Sequence, residues 1–196
     1  MILSRSNMRI LRASFLLLSF PVASSLFSEE PPARVEPRTV RVRALGLFSP
    51  DREQALREAV ASLEEASLKD VDYETAHATF EIRPDKPWKD VHAEKLPERI
   101  DQALKQASRS IFGAAAASET PSERLEEIEI AAGGCVCRAC ELAAYEAVAK
   151  VEGVERATVS FGESRIAVRF DREKTNRAAL EEALQQRGVK LLSETP

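Results

Sequence analysis

The chain has 196 residues, of which 44% are hydrophobic and 31% charged, and its formal net charge is −4 at pH 7. That length suits one ordinary domain or two small ones, and the apolar fraction is enough for a buried core. Both charge signs are interleaved, and no basic stripe with aromatic residues between the charges appears, so the composition speaks against nucleic-acid binding.

In chain order, Arg9 and Arg12 precede the apolar run Ala13–Phe20, and small residues follow at Ala23-Ser24-Ser25. This pattern predicts a secretory signal over residues 1–25, and hence a secreted or periplasmic protein. The apolar run is far shorter than the roughly 20 residues that span a bilayer, so a membrane-embedded chain is not expected. Residues 26–38 are Pro-rich and charged, and read as a flexible lead-in.

The first candidate domain covers 39–117. Val40-Arg41-Val42 is strand-like. Ser49-Pro50-Asp51 reads as a helix opening, with Ser49 as N-cap and Pro50 in the first turn. Leu56, Ala59, Val60 and Leu63 then form a helical stripe. Val71–Thr75 and Ala78–Ile82 predict a hairpin. Arg83–Lys95 is a long connection holding Trp88 and His92. It is read as a solvated loop, with Trp88 either covering part of the sheet or docking a partner. Leu96, Ile100, Leu104 and Ala107 mark a second helix. Ile111-Phe112 is expected as a short last strand, and the alanine run 114–117 as helix or linker filler.

Residues 118–124 read as a linker, and 125–194 as a second domain. Ile128-Glu129-Ile130 alternates as a strand, Gly133-Gly134 allow a turn, and Leu142, Tyr145 and Val148 recur at helical spacing. Val154–Phe161 and Ile166–Phe170 are strands joined at Gly162-Glu163, read as a two-residue turn. Leu180, Ala183 and Leu184 mark a helix, and Val189–Leu192 a last strand. The order is βαββαβ, and the first domain repeats it. An offset of 88 residues pairs Gly46 with Gly134, Val60 with Val148 and Phe80 with Val168. After the third strand the offset falls to 80, pairing Leu104 with Leu184 and Ile111 with Leu191. The expected class is α+β: tandem ferredoxin-like βαββαβ sandwiches, each an antiparallel sheet with two helices on one face.

All three cysteines, Cys135, Cys137 and Cys140, fall within six residues. Such spacing cannot staple a fold and points to a local chemical site. Cys137-Arg138-Ala139-Cys140 lies where a strand hands over to a helix. Two thiolates two residues apart can reach one ion, and soft sulfur favours Cu(I), Zn(II) and similar ions. A helix N-terminus also lowers thiol pKa. A disulfide between Cys137 and Cys140 is the competing reading.

The stretch Gly134-Cys135-Val136-Cys137-Arg138-Ala139-Cys140 resembles the Gly-Met-Thr-Cys-x-x-Cys motif of the heavy-metal-associated domain family. Val151-Glu152-Gly153-Val154, Ala157-Thr158-Val159 and Phe170-Asp171-Arg172-Glu173-Lys174 add to the likeness. It covers 127–192, with a degenerate copy at 39–113. The resemblance implies that Cys137 and Cys140 are metal ligands. It implies a non-enzymatic carrier or sequestering protein for Cu(I), with Zn(II) or Hg(II) as other ions. A metal-transporting membrane protein or another metal carrier is the implied partner. Cys135 stands where the family has Met; it either supplies a third sulfur or packs inward. Val189 stands where an aromatic is common. In the first copy Ser49 and Arg52 replace the cysteines, so no metal is expected there, and histidines 77 and 92 are not expected to bind one. A thiol redox protein using the same cysteines and a protein-interaction module are the alternatives.

Overall fold

A computed structural model describes residues 38–192. The predicted signal, all but the last residue of the lead-in, and residues 193–194 lie outside the described residues. All described residues belong to one compact unit.

The first half contains β1 (Arg38–Leu45), α1 (Arg52–Ala61), β2 (Ala66–Asp72), β3 (His77–Ile82), α2 (Leu96–Ser108) and β4 (Gly113–Ala116). The second contains β5 (Leu125–Gly133), α3 (Arg138–Ala149), β6 (Val154–Ser160), β7 (Arg165–Asp171), α4 (Arg177–Gln186) and β8 (Lys190–Leu191). Each half is a four-stranded antiparallel sheet, with orders β2-β3-β1-β4 and β6-β7-β5-β8. These are two ferredoxin-like βαββαβ units. The alternation of β7 buries Ile166, Val168 and Phe170 against the helices. The four-residue spacing of Leu96, Ile100 and Leu104 does the same for α2.

The repeat holds at the level of strand register. Val40 faces Phe80 and Val42 faces Ala78; 88 residues later Ile128 faces Val168 and Ile130 faces Ile166. Both hairpins carry a bulge, between Leu68 and Asp70 in one and between Val154 and Arg156 in the other. Beyond the bulges the register coincides again, with Val71 on Ala78 and Val159 on Ile166.

Three local expectations are corrected. The last strand of the first half is Gly113–Ala116, not Ile111-Phe112, so part of the alanine run is sheet rather than helix or linker. Ala44 pairs with Ala114 where Ala132 pairs with Leu191, an offset of 77 instead of 80. Arg109 and Ser110 both take positive φ, and the Ser108 hydroxyl accepts from the Phe112 N–H, so 109–112 is spent turning the chain. Ala114 N–H then donates to Asp101 Oδ1 at 3.0 Å, a tertiary anchor that overrides the weak strand preference of alanine. Second, Ser49 does not cap α1. Asp51 is the cap residue and makes no side-chain cap; the Ser49 hydroxyl bonds its carboxylate at 2.7 Å. Third, residues 161–164 form a four-residue turn between β6 and β7, with positive φ at Ser164 rather than at Gly162. The long connection is partly ordered as two short 3₁₀ turns, and Trp88 packs against the first core.

The two cores are linked by one side chain. Phe48, from the loop between β1 and α1, is 1% exposed and belongs to the core of the second half. Around it the Gly46 N–H donates to the Tyr145 hydroxyl at 3.0 Å. The Val159 N–H donates to Phe48 O at 3.0 Å, and Arg156 Nη1 donates to Leu47 O at 2.5 Å. Arg43 reaches Val154 O and Glu155. The outer edge of β6 is therefore covered by the first half, which removes an exposed pairing edge.

Candidate metal centre

The cysteine loop is set by the end of β5 and the start of α3. Gly134 lies against the Phe161 ring, where a Cβ would come within 2.7 Å of the nearest ring carbon, so this close approach requires glycine. Cys137 is the N-cap of α3, with φ −142° and ψ 147°. Its sulfur accepts from the Cys140 N–H at 3.3 Å, the role a Ser or Asp oxygen takes in an ordinary cap. The Cys137 N–H donates to Cys135 O at 2.7 Å, which folds Cys135 back over the helix start.

The three sulfurs lie within 4.8 Å of one another, and those of Cys137 and Cys140 are 2.9 Å apart. All three cysteines are free. Cys140 packs partly against the second core, Cys137 is half-buried and Cys135 is exposed. Cys135 thus does not pack inward, and its sulfur stays with the other two. Neither His77 nor His92 joins them, and among the described residues this is the only such group of three or more potential ligands.

The sulfurs share protons unequally. A hydrogen bond from Cys140, together with its backbone N–H, lowers the Cys137 thiol below its ordinary value. The same contact pushes Cys140 up to about 12, since losing its proton would place two negative sulfurs side by side. An ion binding here must displace the shared proton. The donor set is sulfur alone, which fits thiophilic ions and offers nothing to hard, oxygen-seeking ones.

The equivalent loop of the first half has no such chemistry. Arg52, 88 residues before Cys140, places its guanidinium 5.1 Å from the Phe48 ring centre and 4.8 Å from that of Phe112. A resident cation held by two aromatic faces stands where the second loop has a thiol. Asp51 pairs with Arg138, the residue between Cys137 and Ala139. A cleft of about 740 Å³ opens between the halves, with Cys137 and Arg138 on one wall and Ser49, Asp51 and Tyr73 on the other.

The sequence marked the three cysteines, and the structure brings them together. It did not mark Phe48 or Arg156, and it placed Tyr145 only on a helical stripe. Their one visible signal was an aromatic residue at the place in the first loop that Val136 holds in the second.

Residues 130–190 match the family model described as the heavy-metal-associated domain. Among curated proteins none matches the chain. Solved structures with a similar fold include oxidized MerP from Ralstonia metallidurans CH34, at 28% identity over 36% of this chain and 99% of that one, TM-score 0.34. The N-terminal domain of a potential copper-translocating P-type ATPase from Bacillus subtilis, in the Cu(I)-loaded state, is similar at 30% identity over 34% of this chain and 84% of its own, TM-score 0.33. The N-terminal soluble domains of Bacillus subtilis CopA align over 80% of this chain and 92% of theirs at 16% identity, TM-score 0.33.

Proposed function

We propose that this chain, whose residues 130–190 are a heavy-metal-associated domain, is an exported, non-enzymatic carrier or sequestering protein for Cu(I). The observation that carries the reading is the cluster of three sulfurs within 4.8 Å at the start of α3. Cys137 and Cys140 form the primary pair, and Cys135 is the third ligand. Three soft donors at a partly exposed helix start suit an ion that arrives and leaves by ligand exchange. Its partner in that exchange is a metal-transporting membrane protein or another carrier. Export rests on the N-terminal sequence pattern. No helix among the described residues is long and apolar enough to cross a membrane.

A Cu(I) competition titration against a chromophoric chelator tests the reading, with the Cys137→Ala/Cys140→Ala chain run beside the wild type. Strong copper retention by the wild type alone is expected; equal retention by both would reject it. The 2.9 Å approach of the Cys137 and Cys140 sulfurs favours one second reading, a thiol redox protein. Dithiol-dependent reduction of insulin by the chain would promote that reading instead.

A further inference from the structure

We propose that the cysteine-free half holds the thiolate loop in place, with Phe48 and Asp51 as positioning residues for the metal site. The inference rests on the metal-binding reading and assigns a role to the half that lacks cysteines.

Phe48 sits 5.9 Å, centre to centre, from the ring of Tyr145, which is on the helix that carries Cys140. The Tyr145 hydroxyl is itself tied to the first half through the Gly46 N–H. Phe48 O also holds Val159, two residues before Phe161. Phe161 supports the cysteine loop twice: its ring lies under Gly134, and its N–H donates to Glu141 in the first turn of α3 at 3.2 Å. Phe48 is therefore a plug that bears on both supports of the loop, the helix and the strand end. Asp51 adds a direct contact by holding Arg138, inside the Cys-x-x-Cys segment.

The seat is built to be filled. Without the first half, buried Arg156 would lose Leu47 O and the Tyr73 ring 4.4 Å from its guanidinium, and Tyr145 and Val159 would face a hole. Arg52 braces the plug from its own loop, with its guanidinium 5.1 Å from the Phe48 ring centre and 4.8 Å from that of Phe112. Residues that orient metal ligands from outside the donor set commonly change affinity by 10–100-fold when removed.

The test uses the full chain and two readouts: Cu(I) affinity by chelator competition, and amide exchange of Cys140 and Glu141 in the metal-free protein. Both are taken at a temperature where every variant is folded by circular dichroism. Phe48→Ala should weaken Cu(I) binding on the order of tenfold and speed exchange, while Phe48→Leu restores most of both. Asp51→Asn should weaken binding a few-fold with little loss of stability, since the Asp51–Arg138 pair is exposed. Leu104→Ala, which cuts into the first core and not the second core that holds Phe48, should leave both readouts at wild type. Wild-type affinity and exchange in Phe48→Ala would overturn the proposal, as would the same losses in Leu104→Ala. A wild-type chain that binds no Cu(I) would sink the metal reading alone, and the exchange data would still decide this one.

Discussion

Loop 46–52 and loop 134–140 occupy the same place in two copies of one fold, and they solve the same problem differently. Each must bring a chain from a strand end to a helix start, where free backbone N–H groups collect. The second loop meets those groups with the Cys137 sulfur and leaves its one large apolar side chain, Val136, 70% exposed. The first loop fills the ligand position with Arg52 and buries Phe48, the counterpart of Val136, in the neighbouring core. One copy keeps an open site; the other has become a contact. What separates them is where a few side chains find partners, because the strand registers beneath them coincide.

The largest expected effect is loss of the open site itself. The Cys137→Ala/Cys140→Ala chain should lose Cu(I) retention in competition while keeping its circular dichroism spectrum. An unchanged spectrum with unchanged retention would mean that the two loops do not differ in metal chemistry.

Next comes the plug. Phe48→Ala should cost about 3–5 kcal/mol, the usual range for truncating a fully buried Phe, read as a lower urea midpoint. If the two halves behave as one cooperative unit, fluorescence from Trp88 in the first half and amide exchange in the second should report the same transition. A loss well under that range would show that the Phe48 seat collapses easily.

Cys135 tests how many sulfurs the open loop uses. X-ray absorption on the Cu(I)-loaded chain should show the sulfur coordination number fall from three to two in Cys135→Ala. An unchanged number would reduce the site to the Cys137/Cys140 pair.

The smallest effect concerns the pair formed by Arg124 and Asp171 in the second half. Burial pushes the Asp171 carboxyl up, but Arg124 and the Glu173 N–H together outweigh this and hold it below the ordinary carboxylate value. A depressed folded pKa contributes stability that is full above the unfolded value of about 3.9 and is lost as pH falls through the folded one. Wild-type stability from urea titrations should therefore drop between pH 6 and pH 3 more than that of Asp171→Asn, which lacks the group. Parallel pH profiles would remove Asp171 from the acid response.

The βαββαβ order, the repeat and the cysteine cluster were legible in the residues, because each is a local or periodic signal. Alternation along β7, four-residue spacing on α2 and three cysteines within six residues need no knowledge of distant contacts. Where local preference was weak, the reading went astray. Ala114–Ala116 has little strand character of its own and becomes a strand because β1 and Asp101 take its backbone groups. Ser49 is a good cap by type, yet its hydroxyl goes to Asp51.

By itself the sequence determined the elements, the doubling of the fold and the soft-sulfur chemistry of Cys135, Cys137 and Cys140. Only the tertiary structure decided that Cys135 turns outward, that its sulfur stays beside the other two, and that Phe48 belongs to the other half's core. The physical reason is range. Period and residue type act within a turn or a strand, whereas the burial of Phe48 and the stacking of Arg156 on Tyr73 depend on surfaces about a hundred residues apart that meet only once both sheets exist.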